Sequence, residues 1–83
     1  MPYIDERLNK VKEVILRELS RQPLRRSALG DRANLKGVSR ATFERTFTIL
    51  VCDGDAEKCS SEKFAPYRIT EKGRKFLAWR GIV

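Results

Sequence analysis

The segment from Ser39 to Leu50 constrains the fold more than any other stretch of the chain, because it combines an apolar side with a polar, basic side and contains neither glycine nor proline. At about 100° per residue, its large apolar side chains, Phe43, Phe47 and Leu50, lie on one side of a helix. Ser39 can cap the first turn, and the next glycine along the chain is Gly54. The segment therefore predicts a helix of about three to four turns that packs one side into a core.

The opposite side of this predicted helix carries Arg45 and Thr48, which suits contact with a polyanion. The whole chain has a net charge of +7, and the charge is unevenly distributed. Residues 21–50 hold seven bases against two acids and residues 63–83 hold six against one, whereas residues 51–62 are acidic. Two basic blocks around an acidic one favour binding to phosphates, and the alternative is a solvated basic surface.

The residue inventory excludes several kinds of chemistry. The chain has no histidine, which excludes histidine-based acid–base catalysis, histidine metal sites and nucleophiles paired with histidine. Its carboxylates are not clustered as a nuclease requires, and two cysteines cannot supply the four ligands of a structural zinc site. We therefore expect neither an enzyme nor a bound cofactor or metal, and no small-molecule ligand.

Two redox states are possible for the two cysteines, Cys52 and Cys59. They can form one disulfide, or they can remain reduced and partly buried, which is the common state in a cytoplasmic protein. Few amide side chains and 35% charged residues are typical of heat-adapted proteins, such as those of thermophilic archaea, in which intracellular disulfides are less rare.

The length of 83 residues predicts one domain, spanning residues 1–83, with one core. The sequence contains no apolar run of 18 residues and no charged-then-apolar leader before its first helix. We therefore expect a cytoplasmic protein that neither spans a membrane nor is secreted.

The fold class predicted from the hydrophobic periodicity is mainly α with a small β-hairpin, an α+β architecture. Apolar residues at helical spacing, turn residues around Gly37 and an alternating stretch at Tyr67 define the elements. Their order is helix-helix-helix-strand-strand-helix. The expected ranges are 3–20 for the first helix, 24–33 for the second, 39–52 for the third, 56–59 and 67–70 for the strands, and 71–80 for the last helix.

Two motifs resemble those of a known family. The pattern Thr42-Phe-Glu-Arg45, followed by Phe47, Leu50 and Gly54, resembles Thr-apolar-x-Arg, apolar, Leu, Gly in bacterial and archaeal winged helix-turn-helix transcriptional regulators. The stretch from Tyr67 to Leu77 resembles their hairpin-to-helix signature Tyr-x-Leu-Thr-x-x-Gly-x-x-x-Leu. The sequence departs from this family at Asp55-Ala56, where two apolar residues are usual.

The resemblance implies a helix-turn-helix over about 24–52, a hairpin called the wing over about 56–70, and a C-terminal helix over about 71–80. It also implies binding to double-stranded DNA, with helix 39–52 in the major groove and the wing on the adjacent backbone or minor groove. A wing residue, Phe64, is expected to fold back on the core, or else to insert toward the minor groove.

The side chains expected at this DNA interface fall into three groups. They are the base readers Arg40, Arg45 and Thr48; the backbone contacts Arg25, Arg26, Lys36, Ser39 and Thr42; and the wing contacts Lys58, Lys63 and Arg68. For Arg45 the alternative role is a salt bridge within the protein, and for Ser39 and Thr42 it is simple helix capping.

Two further expectations concern protein partners. Apolar residues on the terminal helices either complete a small core or form a two-fold homodimer contact. They are Leu16, Trp79, Ile82 and Val83. The alternative to DNA binding is a winged-helix module that binds protein within a larger assembly, and Glu44 and Ile49 near the outer face of helix 39–52 are compatible with it.

Overall fold

The computed structural model describes residues 5–81 of this chain and has, in those residues, four helices and a two-stranded antiparallel sheet. The element order and the mainly helical α+β class agree with the sequence prediction. The elements are α1 (Glu6–Arg21), α2 (Arg26–Leu35), α3 (Arg40–Asp53), β1 (Ala56–Lys58), β2 (Tyr67–Ile69) and α4 (Glu71–Trp79).

Helix α1 begins at Glu6, after a cap that the sequence prediction overlooked. The Asp5 carboxylate accepts hydrogen bonds from the backbone N–H groups of Arg7, at 3.0 Å, and Leu8, at 3.3 Å. Because an N-cap residue is itself non-helical, the expected start at residue 3 was too early. Ile4, which the prediction placed in the apolar stripe, lies outside the described residues.

Helix α2 begins two residues later than expected because Leu24 is extended. Its backbone N–H donates to the Tyr67 carbonyl at 3.0 Å, and the Tyr67 N–H donates to the Leu24 carbonyl at 2.8 Å. A residue held in this antiparallel bridge cannot also belong to a helix. Helix α2 also ends two residues later than expected, at Leu35, so the turn before α3 is short. This turn includes Gly37, whose φ of 89° is accessible mainly to glycine.

Helix α3 begins and ends one residue later than the predicted range of 39–52, and it is capped and ended by the residues that the sequence indicated. The Ser39 hydroxyl accepts a hydrogen bond from the Thr42 N–H at 3.3 Å. At the other end Gly54 takes a left-handed conformation with φ of 84°, which closes the last turn. Between these caps Phe43 and Phe47 are buried, and their ring centroids lie 5.4 Å apart.

The core lies where α1 crosses α2 and α3. Leu16 has no exposed surface, so of the two roles expected for it the structure gives it the one in the core and not the one in a dimer contact. The buried apolar residues around it include Ile15, Leu19, Leu29, Ala33, Phe43, Phe47, Leu50 and Leu77.

The two strands pair with Ala56 opposite Ile69 and with Glu57 opposite Arg68. Ala56 and Ile69 are buried, whereas the neighbouring pair is exposed, as alternation across a sheet requires. Each strand ends one residue earlier than predicted. After β1 the Cys59 N–H donates to the Pro66 carbonyl at 2.9 Å, within the connecting loop. After β2 the next residue, Thr70, is the N-cap of α4.

The junction between α3, the sheet and α4 depends on Gly73. A Cβ atom at this position would lie 2.4 Å from the backbone oxygen of Asp55, which itself accepts a hydrogen bond from the Thr70 N–H. The Thr70 hydroxyl caps α4 at the Gly73 N–H, at 3.2 Å, and donates to the Gly54 carbonyl at 2.6 Å. The glycine of the hairpin-to-helix motif is therefore explained by close backbone packing.

Asp55 and Ala56 are both buried at this junction, although they are not the apolar pair usual in the resembled family. Burial raises the pKa of the Asp55 carboxyl, while Lys12 and Lys72 act in the opposite direction. A small residue and a short carboxylate thus occupy the start of the sheet in this chain.

Candidate nucleic-acid interface

A cleft of about 520 Å³ lies between the beginning of α2, the first half of α3 and the hairpin. We call it the basic cleft, because five cationic side chains and a single carboxylate line it. Ala65 and Tyr67 contribute to its wall, and Phe64 borders it. The charged residues are Arg25, Arg26, Arg40, Lys58, Lys63 and Glu44.

The backbone bridge between Leu24 and Tyr67 positions two of these cations. It fixes the residue before Arg25 against the second strand, so Arg25 and Arg26 emerge beside the hairpin. The Tyr67 ring packs edge-on against Phe47, with centroids 4.8 Å apart, which joins the same strand to α3. One wall of the basic cleft is therefore attached to the core and not to a free loop.

Glu44 lies between two of the arginines expected to contact DNA. Its carboxylate forms an ion pair with the Arg26 guanidinium, and Arg40 Nη1 lies 3.9 Å from Glu44 Oε2. Arg40 Nη2 also lies 3.4 Å from an Asp31 carboxylate oxygen. Such exposed pairs contribute only about 0–1 kcal/mol each, so a phosphate can replace the carboxylate.

Arg45 is exposed on the outer side of α3. The ion pairs that α3 forms within residues 5–81 involve Arg40, Glu44 and Asp53, and Arg45 takes part in none of them. The internal salt bridge considered as its alternative role is thus absent from this part of the chain. Thr48 is also exposed, although its hydroxyl donates to the Glu44 carbonyl at 3.0 Å.

Ser39 and Thr42 are engaged with each other. The Ser39 hydroxyl accepts from the Thr42 N–H and lies 2.9 Å from the Thr42 hydroxyl oxygen, to which it donates. This geometry matches the capping alternative. A phosphate at this helix start would have to share or replace those hydrogen bonds.

Lys36 pairs with a buried carboxylate of α1. Its Nζ lies 3.3 Å from Glu18 Oε2, and Arg32 Nη1 lies 3.3 Å from Glu18 Oε1. Burial opposes ionisation of Glu18, but the hydrogen bonds from Lys36 and Arg32 outweigh it and hold its pKa below the usual value. The sequence reasoning missed this contact, because Glu18 and Lys36 belong to different helices.

Two of the three hairpin cations, Lys58 and Arg68, are engaged in contacts within the hairpin. Lys58 Nζ donates to the backbone carbonyls of Glu62 and Lys63, each at 3.2 Å, and thereby holds the connecting loop closed. Arg68 forms an ion pair at 2.6 Å with Glu57, its neighbour across the strands. Lys63 therefore remains as the cation at the tip of the hairpin.

Phe64 does not fold back on the core, contrary to our expectation. Its residue surface is 72% exposed, whereas the neighbouring Ala65 is buried. The loop turns so that Ala65 occupies the inward position, with its N–H bonded to the Glu62 carbonyl at 3.2 Å. Lys63 Nζ lies 5.3 Å from the centroid of the Phe64 ring.

The two cysteines are free thiols in the structure, and both are exposed rather than partly buried. Cys52 lies in the last turn of α3, and Cys59 directly follows β1. Within residues 5–81, no group of three or more cysteine, aspartate and glutamate side chains is arranged to hold a metal ion.

The terminal helices expose one large aromatic side chain. Trp79 is 62% exposed, and its ring centroid lies 5.7 Å from that of Phe76. Ile82 and Val83, the other residues of the expected dimer contact, lie outside the described residues. No helix in the part of the chain that the structure describes has the length and apolar character needed to cross a membrane.

Comparison with protein-family models, curated proteins and solved structures gave no match for this chain. Its function is therefore inferred from its own residues and surface.

Proposed function

We propose that the protein is a winged helix-turn-helix transcriptional regulator that binds double-stranded DNA. Helices α2 and α3 serve as the helix-turn-helix, and the hairpin serves as the wing. In this arrangement α3 lies in the major groove, with Arg45 and Thr48 toward the base edges, and the wing contacts the adjacent backbone or minor groove.

One observation carries this proposal: a single helix, α3, both contributes to the basic cleft and exposes an unpaired arginine. Arg40 lines the cleft, and Arg45 lies exposed one turn further along, without an ion pair in residues 5–81. A guanidinium in this state can form two parallel hydrogen bonds with a guanine edge. It does so without first breaking a bond within the described part of the protein.

The surroundings supply the contacts that position such a helix. Arg25 and Arg26 at the start of α2, and Lys63 on the hairpin, line the same cleft from two sides. Phosphate contacts of this kind fix the register of a protein on DNA without selecting a sequence. Each of them also adds about 0.9 to the slope of log affinity against log salt concentration.

The test is a binding titration of the purified protein against a random-sequence duplex at several salt concentrations. The proposal predicts binding at low salt that weakens linearly on a log–log scale. Binding that is absent at low salt, or that does not depend on salt, would contradict it.

The second candidate is a winged-helix module that binds protein in a larger assembly. Two observations favour it: Leu35, at the end of α2, is 86% exposed, and Glu44 neutralises part of the charge of the cleft. This candidate is preferred if the salt titration shows no DNA binding. In that case Leu35→Ser should weaken association with the partner.

A further inference from the structure

We infer that the basic cleft holds an unpaired nucleotide next to the bound duplex, with its base stacked on Phe64 and its phosphates beside the cleft's cations. The inference rests on the proposed DNA-binding function. It makes the preferred ligand a duplex that carries a single-stranded extension or an unpaired base.

Phe64 is the first observation behind this inference. A large aromatic side chain on a polar loop is normally buried, yet this ring is mostly exposed and borders the basic cleft. Within residues 5–81 it makes no stacking contact with another aromatic ring, whereas Phe43 stacks on Phe47, which in turn packs edge-on against Tyr67. The core therefore gives no reason for an aromatic residue at this position.

The ring is also held in place. Lys58 donates to the carbonyls of Glu62 and Lys63, immediately before Phe64, and the residue after it, Ala65, is buried. Both neighbours of the ring are thus anchored, one through its carbonyl and the other by packing. A ring presented in this way loses little conformational freedom on binding, which favours affinity.

The position of Lys63 identifies the kind of ligand. Its ammonium group lies over one face of the Phe64 ring, 5.3 Å from the centroid, so a base stacked on the opposite face would have a cation close by. A nucleotide combines a flat base with an anionic phosphate. Proteins that bind single strands combine aromatic stacking with basic grooves in this manner.

The size of the basic cleft fits one nucleotide better than a duplex. Its volume of about 520 Å³ lies within the range of pockets that enclose small ligands, about 300–1,000 Å³. A duplex can lie across such a cleft but cannot enter it. Arg25, Arg40 and Lys63 line the space and can contact the phosphates on either side of an inserted base.

The other use of an exposed wing aromatic is as a wedge between stacked base pairs. A wedge needs a protruding ring but not a basic concavity beside it. Here Phe64 and five cations border the same cleft, which favours an unpaired base over a wedge.

The test compares two DNA ligands by fluorescence anisotropy at one salt concentration: a blunt duplex, and the same duplex with a short single-stranded extension. The wild-type protein should bind the extended duplex about tenfold more tightly, which is the typical effect of one stacked base. Phe64→Ala should lose this preference and retain affinity for the blunt duplex, and Phe64→Trp should keep the preference. Trp79→Ala, which removes an exposed aromatic ring from α4, is the matched control and should behave as wild type.

The outcomes separate this inference from the proposed function. Equal affinity of the wild type for the two ligands overturns the inference and leaves DNA binding intact. An equal loss on both ligands in Phe64→Ala also overturns it, because a wedge behaves in that way. If neither ligand binds at low salt, the proposed function fails and the inference fails with it.

Discussion

Under the proposed function, Glu44 competes with DNA phosphates for two arginines of the basic cleft. Its carboxylate pairs with Arg26 and lies near Arg40, so both guanidinium groups must exchange a protein carboxylate for a phosphate on binding. Arg45, on the same helix, has no such partner within residues 5–81. Arg26 and Arg40 are therefore restrained by ion pairs within the protein, whereas no ion pair of the described residues restrains Arg45.

Glu44→Gln should therefore increase affinity for random-sequence duplex, by roughly 0.5–1 kcal/mol at low salt, and should steepen the salt dependence. The control is Glu71→Gln, which makes the same charge change on α4. An equal gain in both variants would mean that only net charge matters, and not the ion pairs of Glu44. Salt titrations of the three proteins measure the difference.

Arg45→Ala should weaken binding to the preferred site by about 1–3 kcal/mol and relax the choice of base at one position. Competition among duplexes that differ at single base pairs, after selection of the preferred site from random sequences, measures this change.

Lys63→Ala should instead weaken all sequences alike and lower the salt slope by about one. Arg74→Ala, which removes an exposed cation from α4, should change neither property. A uniform loss in Arg45→Ala would place Arg45 among the backbone contacts and contradict its base-reading role.

At the junction between α3, the sheet and α4, close backbone contacts limit which side chains can be accommodated. The Thr70 hydroxyl links the end of α3 to the start of α4, and Lys72 Nζ donates to the Asp53 carbonyl at 2.6 Å. Gly73 packs directly on the Asp55 carbonyl. The direction in which α4 leaves the sheet therefore depends on one residue without a side chain.

Gly73→Ala should destabilise the protein by about 1–3 kcal/mol or more, since the new methyl would overlap a backbone oxygen and Ile69. Gly30→Ala is the matched control within a helix. Its Cβ would lie 3.2 Å from the Phe43 ring, a side chain that can shift, and helix propensity favours alanine by about 1 kcal/mol. Chemical denaturation should therefore rank Gly73→Ala as much the less stable variant, and equal stability would contradict the packing argument.

The elements that the sequence predicted best are those with local signals. Helix α3 was predicted because Ser39 caps it, Gly54 ends it and its apolar spacing is regular. The extended Leu24 was missed, because its partner Tyr67 is distant in the sequence. The candidate site divides in the same way. The charge distribution and the family resemblance indicated its cations, whereas the Glu44 pairs, the exposure of Phe64 and the cleft arise from tertiary packing.

At the scale of the whole molecule, carboxylates of α1 join it to two other parts of the chain. Glu18 pairs with Arg32 and Lys36, and Arg80 after α4 donates to Glu6 and to Glu13. The hydrogen bond from Arg80 lowers the pKa of Glu6, and the pKa of Glu18 is also low despite its burial. The free energy of unfolding should accordingly depend on pH in the acidic range.

A lowered pKa means that the folded state binds fewer protons than the unfolded state. The stabilisation from Glu6 and Glu18 is thus present above their unfolded pKa, near 4.5, and is lost as the pH falls through their folded values. We expect the free energy of unfolding to fall as the pH is lowered from 7 to about 3. Denaturation curves at several pH values measure this dependence.

Glu18→Gln should lower the free energy of unfolding at pH 7 by about 1–3 kcal/mol, because it removes a charged acceptor of two hydrogen bonds. It should also reduce the loss of stability in acid. Glu62→Gln, an exposed change in the hairpin loop, serves as the control and should stay close to wild type at pH 7. An unchanged acid dependence in Glu18→Gln would contradict the assignment.

The backbone bridge between Leu24 and Tyr67 has a mechanical consequence. It joins the hairpin to the segment that enters α2, while the Tyr67 ring packs on α3. The two parts proposed to touch DNA are thereby held at a fixed separation. Under the proposed function, a duplex that contacts both must match this separation, so any bending needed for the fit would occur in the DNA. Sequences that bend easily should then bind more tightly.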